Sequence, residues 1–428
     1  VDTENPPGEA EFPGRAGHCL SRPSSNTAFG CQKQPKITLL GYQKDICDRL
    51  NAHIAAGQRR PLVVVRTAGG KTVIAVEMIR QAIERGEEVL VVVHTTELIE
   101  QTSRKLIDHD LGDHAFIKAG YPTRLLAPIQ IASVQTVNAR AFRSRKIELR
   151  KFGLIVIDEA HHARAKTYQQ IVDANPTAVI IGLTATPCRG DGRGLGNIFD
   201  TIVLGPSFEE LKDAGRLVSS RIYAPQRPDL KGVHIRQGDY VESELAGAMD
   251  KPKLVGDVVT HWFKHAEGRR TIVFASSVKH SVHIRNEFRQ AGVAAEHIDG
   301  ETPREEREEI LARLSAGVIQ VVCNCMVLCE GWDQPAVSCL VLARPTKRLG
   351  LFIQTVGRVL RSAPGKTDAL ILDHSGAVFE HGFPEDEITW ALSTDDKAVN
   401  KAHEARQANH HARGLTTCPQ CSAGPGRG

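Results

Sequence analysis

Leu154-Ile155-Val156-Ile157-Asp158-Glu159-Ala160-His161 is the stretch on which the reading of this chain turns. Four consecutive apolar residues, three of them β-branched, describe a short strand buried on both faces, as in parallel sheets. Two carboxylates follow at the point where such a strand ends. In open α/β sheets the carboxyl ends of the strands are where ligands bind. An Asp and a Glu delivered to the sheet rim suit a site that holds a metal ion and a water. Read alone, the pair is equally compatible with a solvated acidic turn. The balance shifts with Thr67-Ala68-Gly69-Gly70-Lys71-Thr72, upstream at the end of another apolar run.

Outward from these two stretches the alternation of strand and helix continues. A helical pattern through Ile46, Leu50 and Ile54 ends at Gly57, and strand 62–65 leads into the glycine turn. An amphipathic helix follows, with Val73, Val76, Ile79 and Ile83 on one face, stopped at Gly86 before strand 89–93. Strand, glycine loop, helix, strand is a βαβ unit. Further strands are expected at 129–133 and 178–183, the latter closed by Thr184-Ala185-Thr186-Pro187. A second α/β series begins near Val255, with strands at 271–274, 319–323, 339–342 and 369–372. Within it Thr302-Pro303-Arg304-Glu305 reads as a capping box with proline at the first helical position. The organisation expected is a Pro/Gly/Ser-rich leader over 1–36, a first lobe over 37–205 and a connector over 206–250, with residues 189–250 irregular apart from a short helix around 208–214. A second lobe then spans 251–380, and a polar tail 381–428.

The chain has 428 residues, enough for two or three domains with their own cores. With 41% hydrophobic and 24% charged residues and a net charge of +4, it has a globular composition with room for a local basic groove. No apolar run approaches the roughly 18 residues of a membrane span, so no membrane is expected. The N-terminus lacks a secretory layout. Ten cysteines fall mostly in apolar runs, which points to a reducing, cytoplasmic setting. Cys323, Cys325 and Cys329 read as free thiols. Cys418 and Cys421 have zinc-knuckle spacing without a second pair and read as half of a ribbon cut off by the C-terminus, with His403, His410 and His411 the lesser candidates to complete a site.

Gly69-Gly70-Lys71-Thr72 between a strand and a helix forms the core of a phosphate-binding loop. Backbone N–H groups and the helix N-terminus meet phosphate charge, Lys71 reaches the β- and γ-phosphates, and the Thr72 hydroxyl ligates Mg²⁺. If position 68 needs a left-handed backbone, alanine there costs on the order of 1–2 kcal/mol. Asp158 is expected to hold Mg²⁺ and Glu159 to polarise the attacking water. Gln354-Thr355-Val356-Gly357-Arg358-Val359-Leu360-Arg361 is the third element. On a helix 354, 358 and 361 share one face, and guanidinium forks match a transition-state phosphate.

With these motifs in this order, together with Tyr42-Gln43, Thr184-Ala185-Thr186 and Glu330-Gly331-Trp332-Asp333, the chain resembles a superfamily 2 helicase or translocase of the DEAD/DEAH-like group. It is most similar to bacterial and phage proteins related to type III restriction translocase subunits and to the repair helicase XPB. The resemblance runs from about Leu39 to His381. It implies two RecA-like parallel-sheet lobes in tandem with an ATP cleft between them. It also implies that Gln43 reads adenine, and that Thr67, Ala68, Gly69, Gly70, Lys71, Thr72, Gly331 and Asp333 contact the nucleotide. His161 would connect the site to Gln354, and Arg358 and Arg361 would act as arginine fingers. Thr95, Gln135, Thr136, Arg344 and Thr346 fall where the family contacts nucleic-acid backbone.

The function expected is an ATP-dependent DNA helicase or translocase using ATP and Mg²⁺. An RNA helicase is the alternative within the enzyme class, and a nucleic-acid clamp with a weakened ATP site the alternative outside it. A motor subunit of a restriction or defence complex would need a partner subunit.

Overall fold

Leu62 and Val64 face one core while Val63 and Val65 face another. Ile155 and Ile157 divide from Leu154 and Val156 in the same way. A strand apolar at every position is thus one with a hydrophobic layer on each side, the arrangement that parallel sheets demand. The computed structural model describes residues 38–392, apart from 122–123, 163–165, 188–193, 226, 267, 330–331 and 333.

The first sheet has seven strands: β1 (Pro61–Val64), β2 (Val89–Val93), β3 (His114–Ile117), β4 (Ile129–Ser133), β5 (Leu154–Ile157), β6 (Val179–Thr184) and β7 (Thr201–Leu204). They lie in the order β3-β4-β2-β5-β6-β1-β7, and every pairing is parallel. Helices α1 (Gly41–Ala55), α2 (Lys71–Glu84), α3 (Thr96–Asp108), α4 (Val134–Val137) and α5 (Lys166–Ala174) belong to this lobe. β1 and β5 are separated in the sheet by β6 alone. The glycine loop after β1 and the carboxylates after β5 therefore emerge at the same rim.

The stretch 206–250 holds the short helix expected around 208–214 and more regular structure besides. It carries α6 (Phe208–Asp213), β8 (Ser219–Tyr223), a two-stranded hairpin β9 (Ile235–Arg236) and β10 (Asp239–Tyr240), and α7 (Glu242–Met249). β8 is an integral strand of the second sheet, paired in parallel along β15 (Asp368–Asp373). The other strands are β11 (Thr271–Ala275), β12 (Ala295–Ile298), β13 (Val321–Asn324) and β14 (Cys339–Ala343), giving the order β12-β13-β11-β14-β15-β8. Around it pack α8 (Pro252–Ala266), α9 (Val278–Gln290), α10 (Arg304–Ala316), α11 (Leu349–Val359) and α12 (Ala377–His381).

Two local expectations change. Pro303 stands at the N-cap of α10, and Thr302 does not cap it. The Thr302 hydroxyl instead donates to Asp299, whose carboxylate also takes the backbone N–H groups of Glu301 and Thr302. Helix α11 ends at Val359, so Arg361 is not on the helical face of Gln354. Leu217 and Arg361 form an antiparallel bridge, with Val218 donating to the Leu360 carbonyl at 2.9 Å and Ser362 to that of Arg216 at 3.1 Å. These backbone bonds draw the chain out of its helix.

Candidate active site

Helix α2 starts at Lys71, directly after Gly70 in the left-handed region at φ 81°. That geometry points the first N–H groups of the helix into the loop, where they have no intrahelical acceptor. Ala68 is also left-handed, at φ 69°. The Lys71 ammonium lies 2.7 Å from Glu159 Oε1, and both side chains are largely buried. Glu159 itself is held at φ 46°, and its backbone N–H donates to Asp158 Oδ1 at 2.9 Å.

The electrostatics follow from that placement. Burial, and after it the neighbouring Glu159, pushes the carboxyl of Asp158 up. Burial alone would raise Glu159 too, but Lys71 and then His161 pull its carboxyl below the usual carboxylate range. The result is two adjacent, partly buried carboxylates at the sheet rim, one of them ion-paired and the other compensated less well.

His161 joins the two lobes. Its Nε2 is 3.2 Å from Gln354 Nε2 on α11, and its Nδ1 is 3.2 Å from Thr184 Oγ1 and 3.4 Å from Glu159 Oε2. The amide nitrogen of Gln354 can only donate, so Nε2 accepts and Nδ1 carries the proton. Gln354 also donates to Thr186 Oγ1 at 3.2 Å, and the Thr184 hydroxyl donates to the Thr186 carbonyl at 3.0 Å. A continuous polar chain thus runs from Lys71 through Glu159 and His161 to the second lobe.

Gly357 explains how α11 approaches so closely. A Cβ there would lie 2.8 Å from Thr67 Oγ1, so a larger residue would push the helix off the loop. Arg358 donates to the Trp332 carbonyl at 2.9 Å. Gln43 is buried, accepts from the Leu40 N–H at 3.0 Å and lies against Gly70. Thr72 is exposed at the first turn of α2. Gly331 and Asp333 lie outside the described residues, as do His403, His410, His411, Cys418 and Cys421.

The five residues expected on nucleic acid divide. Gln135 is exposed and Thr136 half-buried at the start of α4. The Gln135 amide donates to the His94 carbonyl at 2.9 Å. Thr95 caps α3, accepting from the Leu98 N–H. Arg344 and Thr346 are turned inward. Both bond Asp239 Oδ2, at 3.3 and 3.0 Å, while the Lys347 N–H donates to Asp239 Oδ1 at 2.9 Å. Asp239 was not singled out in the sequence because it stands 105 residues from Arg344 with no local pattern around it. Its role is to fasten the β9–β10 hairpin to the end of β14. Cys323, Cys325 and Cys329 are in no disulfide, and no cluster of His, Cys, Asp or Glu fit for a metal ion occurs among the described residues.

Two parallel-sheet lobes, with a glycine loop and an Asp-Glu pair at one rim of the first, have the tandem RecA-like architecture, and the chain belongs to the superfamily 2 helicases. Residues 36–189 match the family model "Type III restriction enzyme, res subunit", and residues 250–363 match "Helicase conserved C-terminal domain". A 51.5 kDa protein of a Lactococcus phage (isolate 7-9) is 32% identical over 354 residues, 83% of this chain and 73% of that protein. IRC3 of Saccharomyces cerevisiae is 30% identical over 369 residues, 81% of this chain and 52% of that protein. The DNA 3'-5' translocase XPB2 of Sulfurisphaera tokodaii is 24% identical over 371 residues, 76% of this chain and 79% of that protein. This chain spans about half the length of IRC3. In fold it is similar to the ATP-dependent Type ISP restriction-modification enzyme LlaBIII bound to DNA, with a TM-score of 0.61 at 17% identity over 88% of this chain and 30% of that one. The chain is an ATP-dependent helicase, and nucleic acid is what its family acts on. Among the described residues, no helix is long and apolar enough to cross a membrane.

Proposed function

We propose that this helicase couples ATP hydrolysis to movement along, or unwinding of, DNA. The observation that carries the coupling is the polar chain Lys71–Glu159–His161–Gln354, which ties the phosphate loop of one lobe to a helix of the other. Closure on ATP would bring Arg358 and Arg361 onto the γ-phosphate, and hydrolysis would remove the charge that held the cleft shut. DNA is favoured by the named substrate of the translocase relative. Asp158, its carboxyl pushed up by desolvation and by the adjacent Glu159, fits a divalent cation. Asp158 and the Thr72 hydroxyl would hold Mg²⁺, which would supply positive charge for the phosphoryl oxygens. Lys71 would bind phosphate, Glu159 would orient the water, and Gln43 would meet the base. Lobe boundaries at 37–205 and 251–380, with a connector at 206–250 that lends α6 and β8 to the second lobe, complete the reading. The free thiols suit a reducing compartment such as the cytoplasm.

The test is the ATPase rate of wild type and Glu159→Gln with single-stranded DNA, duplex DNA and RNA. DNA is expected to stimulate the wild type most. The substitution is expected to lower stimulated turnover by on the order of 100-fold or more, since it removes a general base. Stimulation by RNA alone would reassign the substrate. Equal rates in wild type and variant would leave only the clamp reading, which the left-handed Ala68 in the loop otherwise favours.

A further inference from the structure

Residues 383–392, within the stretch expected as a polar tail, form a strap that begins on one lobe and ends on the other. Phe383 and Ile388 pack against the core of the second lobe. Trp390 and Leu392 pack against a core of the first. The strap is fixed at both ends by polar contacts. In the second lobe Glu385 accepts from the Ser220 N–H at 3.0 Å and from its hydroxyl. In the first, the Gly196 N–H donates to the Leu392 carbonyl at 2.8 Å, and a Cβ at Gly196 would run into that oxygen. In the middle lies Arg66. Its fork donates to two strap carbonyls, Pro384 at 2.8 Å and Asp386 at 2.7 Å.

Arg66 sits between β1 and the glycine loop, one residue before Thr67. A half-buried guanidinium held by two main-chain oxygens is costly to disturb, because each lost bond leaves a donor of a charged group unpaired. Glu385, Asp386 and Glu387 lie close enough to offset part of its desolvation. Nothing in phosphate binding itself requires an arginine here, and its donors are turned to the strap.

We propose that Arg66 is a positioning residue that ties the phosphate loop to the 383–392 strap, so that the set of the loop depends on how the strap spans the two lobes. The inference rests on the ATP-motor reading for its consequence but not for its geometry. If the loop is held from outside, loosening either end of the strap disorders the same loop. Arg66→Ala and Trp390→Ala are each expected to raise KM for ATP about 5–10-fold with kcat changed less than about threefold. The double variant is expected to be no worse than the more affected single one, because both break one linkage. Arg66→Lys, which keeps the charge without the fork, is expected to fall between wild type and Arg66→Ala. A glutamate-specific protease is expected to cut at Glu385 and Glu387 faster in Arg66→Ala than in wild type.

Multiplying KM effects, or an effect of Arg66→Ala with none of Trp390→Ala, would show that Arg66 acts on the loop locally. Unchanged cutting in Arg66→Ala would show that it does not hold the strap. Either result overturns the proposal. Should Arg66→Ala fail to fold, Arg66→Lys with Trp390→Ala supplies the same cycle. A wild type without ATP turnover would sink the motor reading instead, and the protease comparison would still decide the strap.

Discussion

Ala68 holds a backbone angle that glycine adopts freely and alanine does not. Left-handed alanine costs on the order of 1–2 kcal/mol, and the greater freedom of glycine in the unfolded chain returns about 0.5–1 kcal/mol of that. Ala68→Gly is therefore expected to stabilise the protein by about 0.5–1 kcal/mol, read as a rise of about 2 °C in thermal melting. An unchanged or lower melting temperature would mean that the methyl's packing against the second lobe outweighs the strain. At this scale the sequence was informative wherever chemistry dictates the residue type. Lys71, Asp158 and Glu159, singled out by residue type and spacing, come together in the structure. Asp239 escaped notice for the opposite reason: a carboxylate that organises Arg344, Thr346 and Lys347 looks like any exposed turn acid until the chain folds.

Helix α9 carries a histidine whose neutrality is built into the helix start. Ser277 caps the helix through the His280 N–H, and His280 Nδ1 accepts from the Ser276 N–H at 3.3 Å and lies 2.8 Å from its hydroxyl. Burial lowers the His280 imidazole to about 4, against 6.5 for a free side chain. The unfolded chain therefore binds a proton between those values and the folded one does not. Stability contributed by neutral His280 is complete above pH 6.5 and falls as pH drops toward 4, by on the order of 3 kcal/mol. Denaturant melts from pH 7 to 4 are expected to show that loss, and His280→Gln to reduce it; parallel pH profiles would refute the assignment. Elements were legible to the extent that they are buried. Every central strand announced itself as an apolar run, whereas β3, β7, β8 and β12 went unread, and these are the four edges of the two sheets. An edge strand such as Ser219–Tyr223 has a partner on one side only and exposes alternate residues, which dilutes the signal that periodicity reads.

Across the molecule, Arg304 of α10 grips Glu100 of α3 through its two terminal guanidinium nitrogens, at 2.8 and 2.7 Å. The Arg304 side chain remains 39% exposed and that of Glu100 24%, so the pair contributes only about 0–1 kcal/mol to stability. Its consequence is geometric. Arg304→Ala is expected to move thermal melting by less than about 2 °C while enlarging the radius of gyration measured by X-ray scattering without nucleotide. An unchanged radius would show that other contacts set the spacing of the lobes. Such interlobe contacts were the least legible feature, since they join segments about 200 residues apart. The polar chain through His161 was anticipated only through family resemblance, and the strap was not anticipated at all. That strap changes the kinematics. The polypeptide crosses from the first lobe to the second between β7 and β8 and returns over 383–392. Two bodies tethered at one point can swivel freely, but tethered at two they swing about the line through both, like a door on its pins.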